Sequence, residues 1–326
     1  MKRLFLLPII LLAFLTNAYS EPVRIIFDTD MASDCDDAGA LTVLNALADL
    51  GEVEILAIVT NRKCPGNSSA GAADAINTWY GRPDIPMGTD KDGSKTPAKW
   101  NKPSSYTSAL HEEFPNDTPG DNEMPDALDV YLETLRAQPD QSVVICSVGA
   151  LSNLEDLVRA DRALVEAKVK ELYIMGGGFP RTHRFETNIR LDPGAAVTVT
   201  NEWPTFITWQ GFEVGNAMYN GSELIDAPKE NPVRRAYELR PFRGGNSLDH
   251  GKPNHDLATV LLAARGPQSE HWTVVENGRV LINSDGGTEW LHDRPKKHRY
   301  VVIKEHPRVL EGIIGELLAT EPERQR

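Results

Sequence analysis

Cysteine is scarce: Cys35, Cys64 and Cys146 are the only three in a chain of 326 residues. That excludes a disulfide scaffold, and the odd number allows at most one internal pair. Basic residues are also few. Lys+Arg number 34 against 47 Asp+Glu, a formal net charge of −13. Such a surplus repels phosphate backbones and anionic membrane surfaces, which argues against a nucleic-acid binder. No internal repeat is visible, and no Pro/Gly/Ser-rich linker marks a domain boundary. Hydrophobic residues at 40% and charged residues at 25% are ordinary for a globular chain. They exclude a disordered, collagen-like or multi-span membrane protein.

The one long apolar run is at the start. Lys2 and Arg3 precede Leu4 to Leu15, a stretch shorter than the roughly 20 residues that span a bilayer. Ala18-Tyr19-Ser20 supplies the small residues of a cleavage site. Residues 1–20 therefore read as a signal peptide, and residues 21–326 as one domain. No cysteine follows the cleavage site, so a lipid anchor is not expected. Cleavage removes two positive charges, taking −13 to −15. The mature protein is expected to be periplasmic or secreted, with no membrane contact after cleavage. In that oxidising setting Cys35 and Cys64, each just after a predicted strand, could pair; Cys146 reads as core.

The mature chain alternates strand, polar turn and helix. Val23–Phe27, Val53–Thr60, Val143–Val148, Glu171–Met175 and Thr205–Trp209 read as strands. Ala38–Leu50, Ala70–Tyr80, Pro125–Ala137, Ser152–Arg159 and Val309–Ala319 read as helices. Gly88–Gly120 reads as a long surface excursion. Trp272–Arg299 alternates around two turns and reads as a small C-terminal β-hairpin or meander. The pattern predicts an α/β fold: an open, mostly parallel, Rossmann-like sheet with helices on both faces. In such sheets ligands bind at the carboxyl ends of the strands.

There the residues become unusual. Asp28, Asp30, Asp34, Asp36 and Asp37 crowd into ten positions after the first strand. Carboxylates so close repel one another unless a cation joins them or some are protonated. Oxygen-only ligands favour Ca²⁺ or Mg²⁺. The spacing is not that of an EF-hand. Asp28-Thr29-Asp30 also suits a DxD-type metal-dependent phosphatase, but Met31-Ala32 follows, and no later lysine-and-acid pair is evident. Gly176–Gly178 lacks the Lys-Ser/Thr of a P-loop.

Several segments in order narrow the choice. Asp28-Thr29-Asp30 with Asp36-Asp37-Ala38 and Ala40-Leu41 resembles the N-terminal fingerprint of the inosine-uridine preferring nucleoside hydrolases. Val148-Gly149-Ala150-Leu151-Ser152-Asn153-Leu154 and Ile174-Met175-Gly176-Gly177-Gly178 resemble two further family segments. So do Glu186-Thr187-Asn188 with Asp192-Pro193 and Ala195-Ala196, and Asn254-His255-Asp256.

The resemblance implies Ca²⁺-dependent hydrolysis of the N-glycosidic bond of a small-molecule ribonucleoside, purine or pyrimidine, to free base and ribose. It implies Asp30, Asp37, Asp256 and the backbone carbonyl of Ser152 as metal ligands. Asp30 would be the general base and His255 the acid that protonates the leaving base. Asp36, Asn61, Met175, Glu186, Asn188 and His255 would contact substrate. Family members are often dimers or tetramers, so a homo-oligomer is implied. This chain departs from the pattern in a longer first loop and a basic segment, Arg181, His183 and Arg184, which could accept an anionic group near the ribose 5′ end. Trp100, Tyr106, Phe179 and Trp209 are loop aromatics able to stack a base. The alternative in a different class is a periplasmic nucleoside- or ribosyl-binding protein without turnover.

Overall fold

The computed structural model describes residues 21–32, 34–61, 66–93, 104–180 and 184–323. The expectations for residues 1–20, Cys64, Trp100, Arg181 and His183 lie outside these residues, as does the Arg184 side chain. Among the described residues no helix is long and apolar enough to cross a membrane.

Among the described residues fourteen strands follow in chain order: β1 (Val23–Thr29), β2 (Val53–Thr60), β3 (Met87–Thr89), β4 (Val143–Ser147), β5 (Val169–Met175), β6 (Arg184–Phe185), β7 (Phe206–Gln210), β8 (Tyr219–Asn220), β9 (Pro241–Phe242), β10 (Gly245–Asn246), β11 (Lys252–Pro253), β12 (Trp272–Ile282), β13 (Gly287–Leu291) and β14 (His298–Ile303). Ten form one sheet in the order β3-β2-β1-β4-β5-β7-β14-β12-β13-β6. The first seven in that order run parallel. The last three add antiparallel pairings.

The strands are apolar on both faces because both are covered. Alternation within β1 shows it. Ile25 and Phe27 enter a core shared with helices Asp36–Asp49, His255–Arg265 and Pro307–Leu318. Ile26 points the other way, into a core with helices Ala127–Ala137, Ser152–Lys168 and Pro193–Glu202. Each such fully buried side chain contributes roughly 1.5–3 kcal/mol.

From β1 the order runs one way to β2 and β3, and from β4 the other way to β5 and β7. The loops after β1 and β4 therefore part, opening the crevice where ligands bind in such sheets. The expected C-terminal meander forms as β12, β13 and β14, and because β14 pairs with β7 it continues the main sheet. One expectation is revised. The 88–120 excursion contributes β3 and a helix, Thr107–Glu113, packed on the helix Ser69–Trp79.

Two small ladders stand above the strand ends. β8 pairs with β11, and β9 with β10. The β9–β10 turn, Arg243-Gly244, has φ of 49° and 83°. Both are left-handed, as a two-residue turn matching strand twist requires. The Arg243 guanidinium lies 4.7 Å from the Tyr219 ring and 5.0 Å from the Phe242 ring. That stacking anchors the turn at the cavity rim.

Candidate active site

The carboxyl ends of β1, β4 and β5 open into a cavity of about 930 Å³. That is near the top of the roughly 300–1,000 Å³ of small-molecule sites. The first loop supplies Asp30, Asp34, Asp36 and Asp37 to its wall. Asp36 and Asp37 open the helix Asp36–Asp49, where the macrodipole favours negative charge. Asp256, in the first turn of the helix His255–Arg265, meets them from the opposite side. Oxygens of Asp36, Asp37 and Asp256 all lie within 4.8 Å of one another, and all three residues are buried. The Thr29 hydroxyl donates to Asp37.

A second ionic group adjoins this one. Lys252 Nζ donates to Asp36 Oδ1 at 2.9 Å and pairs with Asp34 Oδ2 at 2.8 Å. Arg240 Nε donates to Asp34 Oδ1 at 2.8 Å. The Tyr106 hydroxyl donates to the Asp34 carbonyl at 2.9 Å. The loop is thus tied to β11 and to the residue before β9.

The other side of the cavity is less charged. Glu186 caps the helix Thr187–Leu191. Its carboxylate accepts from the backbone N–H of Asn188 at 2.9 Å, and of Ile189 and Gly177 at 3.3 Å. Asn188 Nδ2 donates to the Val148 carbonyl at 2.8 Å and the Met175 carbonyl at 3.2 Å. The His255 ring stacks on Phe212, centroids 4.7 Å apart. Its backbone carbonyl accepts from Gln210 Nε2 at 3.0 Å. Phe212 and Phe242 both line the cavity.

Burial dominates the electrostatics. It pushes Asp37 and Asp256 well above the ordinary carboxylate range, and neighbouring aspartates push them further. Burial raises Asp36 to about 6, with Lys252 pulling the other way. Asp34 is also buried, yet Lys252 and Arg240 bring it below its usual value. Burial disfavours the Lys252 ammonium, but Asp36 and Asp34 outweigh it and raise its pKa. Glu186 is raised by burial to about 7, offset in part by the three backbone donors.

Most of the predicted site residues converge. Asp30, Asp36, Asp37, Met175, Glu186, Asn188, His255 and Asp256 all line the cavity. Two do not. Asn61 follows β2 as expected, but its side chain turns beneath the loop and donates to Asp28 Oδ1 at 2.5 Å. Ser152 opens a helix, and its hydroxyl donates to Asp90 Oδ2 at 2.8 Å. The member of its segment that lines the cavity is Val148, four residues earlier at the strand end.

The aromatics are corrected too. Phe179 and Trp209 pack in the core with Tyr300 and His298. Tyr106 is buried against the loop backbone. Cys35 is a buried free thiol. Lys252, Arg240, Phe212, Phe242 and Val148 are lining residues not expected from the sequence. Only Val148 had a signal, since it ends the strand segment.

Asp28 bears on the phosphatase alternative. Its carboxylate is fully buried and accepts from the Tyr131 hydroxyl at 2.7 Å as well as from Asn61. Burial raises it to about 7. It does not line the cavity, so it is not placed as a nucleophile. It holds the loop's base.

Fold and site together define an α/β enzyme with a buried, all-oxygen acidic pocket at the switch point of a parallel sheet. The model of the inosine-uridine preferring nucleoside hydrolases matches residues 25–308, and the chain belongs to that family. Its members hydrolyse N-glycosidic bonds of small-molecule nucleosides, and this chain is such a hydrolase. An inosine-uridine preferring nucleoside hydrolase from Bacillus anthracis has a similar structure, with a TM-score of 0.68 at 19% identity over 91% of this chain and 99% of that one. A purine-preferring ribonucleoside hydrolase from Gardnerella vaginalis gives 0.66 at 19% identity over 90% and 98%. An uncharacterized protein of Schizosaccharomyces pombe is 25% identical over 262 residues, 74% of this chain and 80% of its own length.

Proposed function

We propose that the protein is an exported, Ca²⁺-dependent ribonucleoside hydrolase that releases a free base and ribose. One observation carries this reading: the buried oxygens of Asp36, Asp37 and Asp256 within 4.8 Å of one another, at the floor of a cavity that His255 also lines. The donor set fits a hard cation. It is all oxygen and buried, with one ammonium, Lys252, against three carboxylates. Asp37, Asp256 and Asp30 are the candidate protein ligands. At the end of β4 Val148 lines the cavity where Ser152 does not, which makes its carbonyl, also accepting from Asn188 Nδ2 at 2.8 Å, the candidate backbone ligand.

A bound Ca²⁺ would supply a water of lowered pKa and a template for the ribose hydroxyls. The remaining steps fall to the chain. Asp30 accepts the water's proton as general base. Asp36 accepts from the ribose 2′-hydroxyl, and Asn188 and Glu186 hold the far side of the sugar, above Met175. Cleavage passes through an oxocarbenium-like state. The surrounding carboxylates provide a fixed negative field for that positive charge. His255 donates a proton to the departing base, its ring plane fixed by Phe212. Export rests on the signal-like residues 1–20.

The test is free-ribose release by the purified chain from a panel of purine and pyrimidine nucleosides and a 5′-substituted riboside, with and without a Ca²⁺ chelator. Chelator-sensitive release supports the reading. Tight nucleoside binding without release would favour a binding protein, and release independent of any cation would overturn the metal assignment.

A further inference from the structure

We propose that Lys252 is a positioning residue that divides the acidic loop, holding Asp34 and one oxygen of Asp36 away from the cation so that Asp36 faces the ribose. The inference rests on the cation-dependent hydrolase reading above and names a part of its machinery that the loop motif does not contain. Five aspartates reach the cavity: Asp30, Asp34, Asp36, Asp37 and Asp256. Two cationic side chains answer them, Lys252 and Arg240, and both act on the same end of the loop. Asp34 is bonded by both. Asp36 is bonded by Lys252 through Oδ1, while its carboxylate also lines the cavity beside Asp37 and Asp256. No lysine or arginine ion pair is found on Asp37 or Asp256 among the described residues. Positive charge is therefore built in at one end, and Asp37 and Asp256 stand at the other, where a dication would meet them.

The backbone explains why a lysine can do this. Lys252 pairs with Asn220 across the β11–β8 ladder. Four residues later the same segment delivers Asp256, preceded by His255. Asn254 within it is held by its N–H to the Gly215 carbonyl at 3.0 Å, and its Oδ1 accepts from the Asn220 N–H at 3.1 Å. One short, doubly bonded segment thus carries the ammonium, the candidate acid and the candidate metal carboxylate. The Lys252–Asp36 contact fixes that segment against the loop. Lys252 is 5% exposed, so solvent does not replace its contacts. At 2.8 and 2.9 Å these are charge-assisted hydrogen bonds with defined direction, not a diffuse field.

Two effects follow from removing the ammonium. A positive charge next to the cation site disappears and Asp36 can turn both oxygens to the cation, so cation affinity rises. Asp36 also loses its orientation toward the 2′-hydroxyl, so substrate binding weakens.

The experiment compares Lys252→Met, of similar volume, with the wild type, both full chain and stripped by chelator. Calcium alone is titrated by calorimetry, and nucleoside turnover is then measured at saturating Ca²⁺. Lys252→Met is expected to bind Ca²⁺ at least about tenfold more tightly, with KM raised about tenfold or more and kcat changed less. Lys252→Arg is expected to recover part of the KM. Should Lys252→Met not fold, Asp34→Asn serves: it leaves Lys252 wholly to Asp36 and removes one negative charge, and Ca²⁺ binding is expected to weaken several-fold. A folded Lys252→Met with wild-type Ca²⁺ affinity and KM would overturn the inference while leaving the hydrolase reading intact, and so would an unchanged Asp34→Asn. A wild type that neither binds Ca²⁺ nor releases ribose would overturn both.

Discussion

Two ionic clusters sit on the same sheet and obey opposite rules. Near the amino ends of β5 and β14, Glu171 pairs with Arg299, and Thr208 bonds to both. The buried Glu171 meets the Arg299 guanidinium, a hydroxyl fills the gap, Glu276 reaches the same guanidinium from the exposed side at 3.5 Å, and the Phe206 ring lies 5.3 Å from it. At the carboxyl ends, five buried or half-buried aspartates meet two cations. A balanced buried pair is a structural element, costly to break and replaceable in principle. An unbalanced buried cluster is unfavourable unless something else binds, and the surplus of acid is therefore a sign of function.

The sharpest way to break this comparison is to remove one carboxylate from each cluster. Asp37→Asn is expected to lose Ca²⁺ binding and to lower turnover by at least about a thousandfold, or roughly 4 kcal/mol. Yet it should raise the melting temperature of the chelated protein, since it relieves repulsion among buried acids. Glu171→Gln should do the reverse: turnover is retained, and stability falls by about 1–3 kcal/mol. Thermal melts and free-ribose assays on both variants check this crossover. Equal destabilisation in the two would dissolve the distinction.

His255→Ala comes next. Loss of the proton donor is expected to cost about a hundredfold on nucleosides with poor leaving groups and less on activated ones. Equal losses across leaving groups would remove the acid role. The pH prediction is smaller. Glu186 rises from an unfolded value of roughly 4.3 to about 7 in the fold. Between these values the folded state binds more protons than the unfolded one. Its contribution therefore destabilises progressively as pH rises through that window, fully so above about 7. The chelated wild type should melt lower at pH 7.5 than at pH 5, and Glu186→Gln should show a shallower slope in the same scan. Smallest is Phe242→Ala at the rim, expected to change relative preference among bases by about tenfold or less with little effect on stability, read from the ratios of kcat/KM.

What was legible in the sequence was whatever is local to a strand end. Asp30, Asp36 and Asp37 follow an apolar β-branched run, and Asn254-His255-Asp256 precedes a helix, so position along the chain implied position in the fold. The parallel sheet was legible for the same reason. Lys252 and Arg240 were not, because their partners lie 216 and 206 residues away. Nothing local distinguishes Lys252-Pro253 from an ordinary surface pair. Asn61 and Ser152 sit in the right segments but do not line the cavity. The Asn61 side chain turns under the loop to Asp28, and Ser152, expected to act through its carbonyl, lies four residues past Val148 in the helix it opens. The insertion of β14 beside β7 was hidden because sheet order is a long-range property.

The central claim is that the surplus of buried carboxylate is a cation site that supports glycosidic hydrolysis. Its most direct test is ribose release from a nucleoside by the full chain, first stripped by chelator and then given back Ca²⁺ alone. The account predicts that the stripped protein is inactive and that stoichiometric Ca²⁺ restores turnover. Full turnover in excess chelator would contradict it.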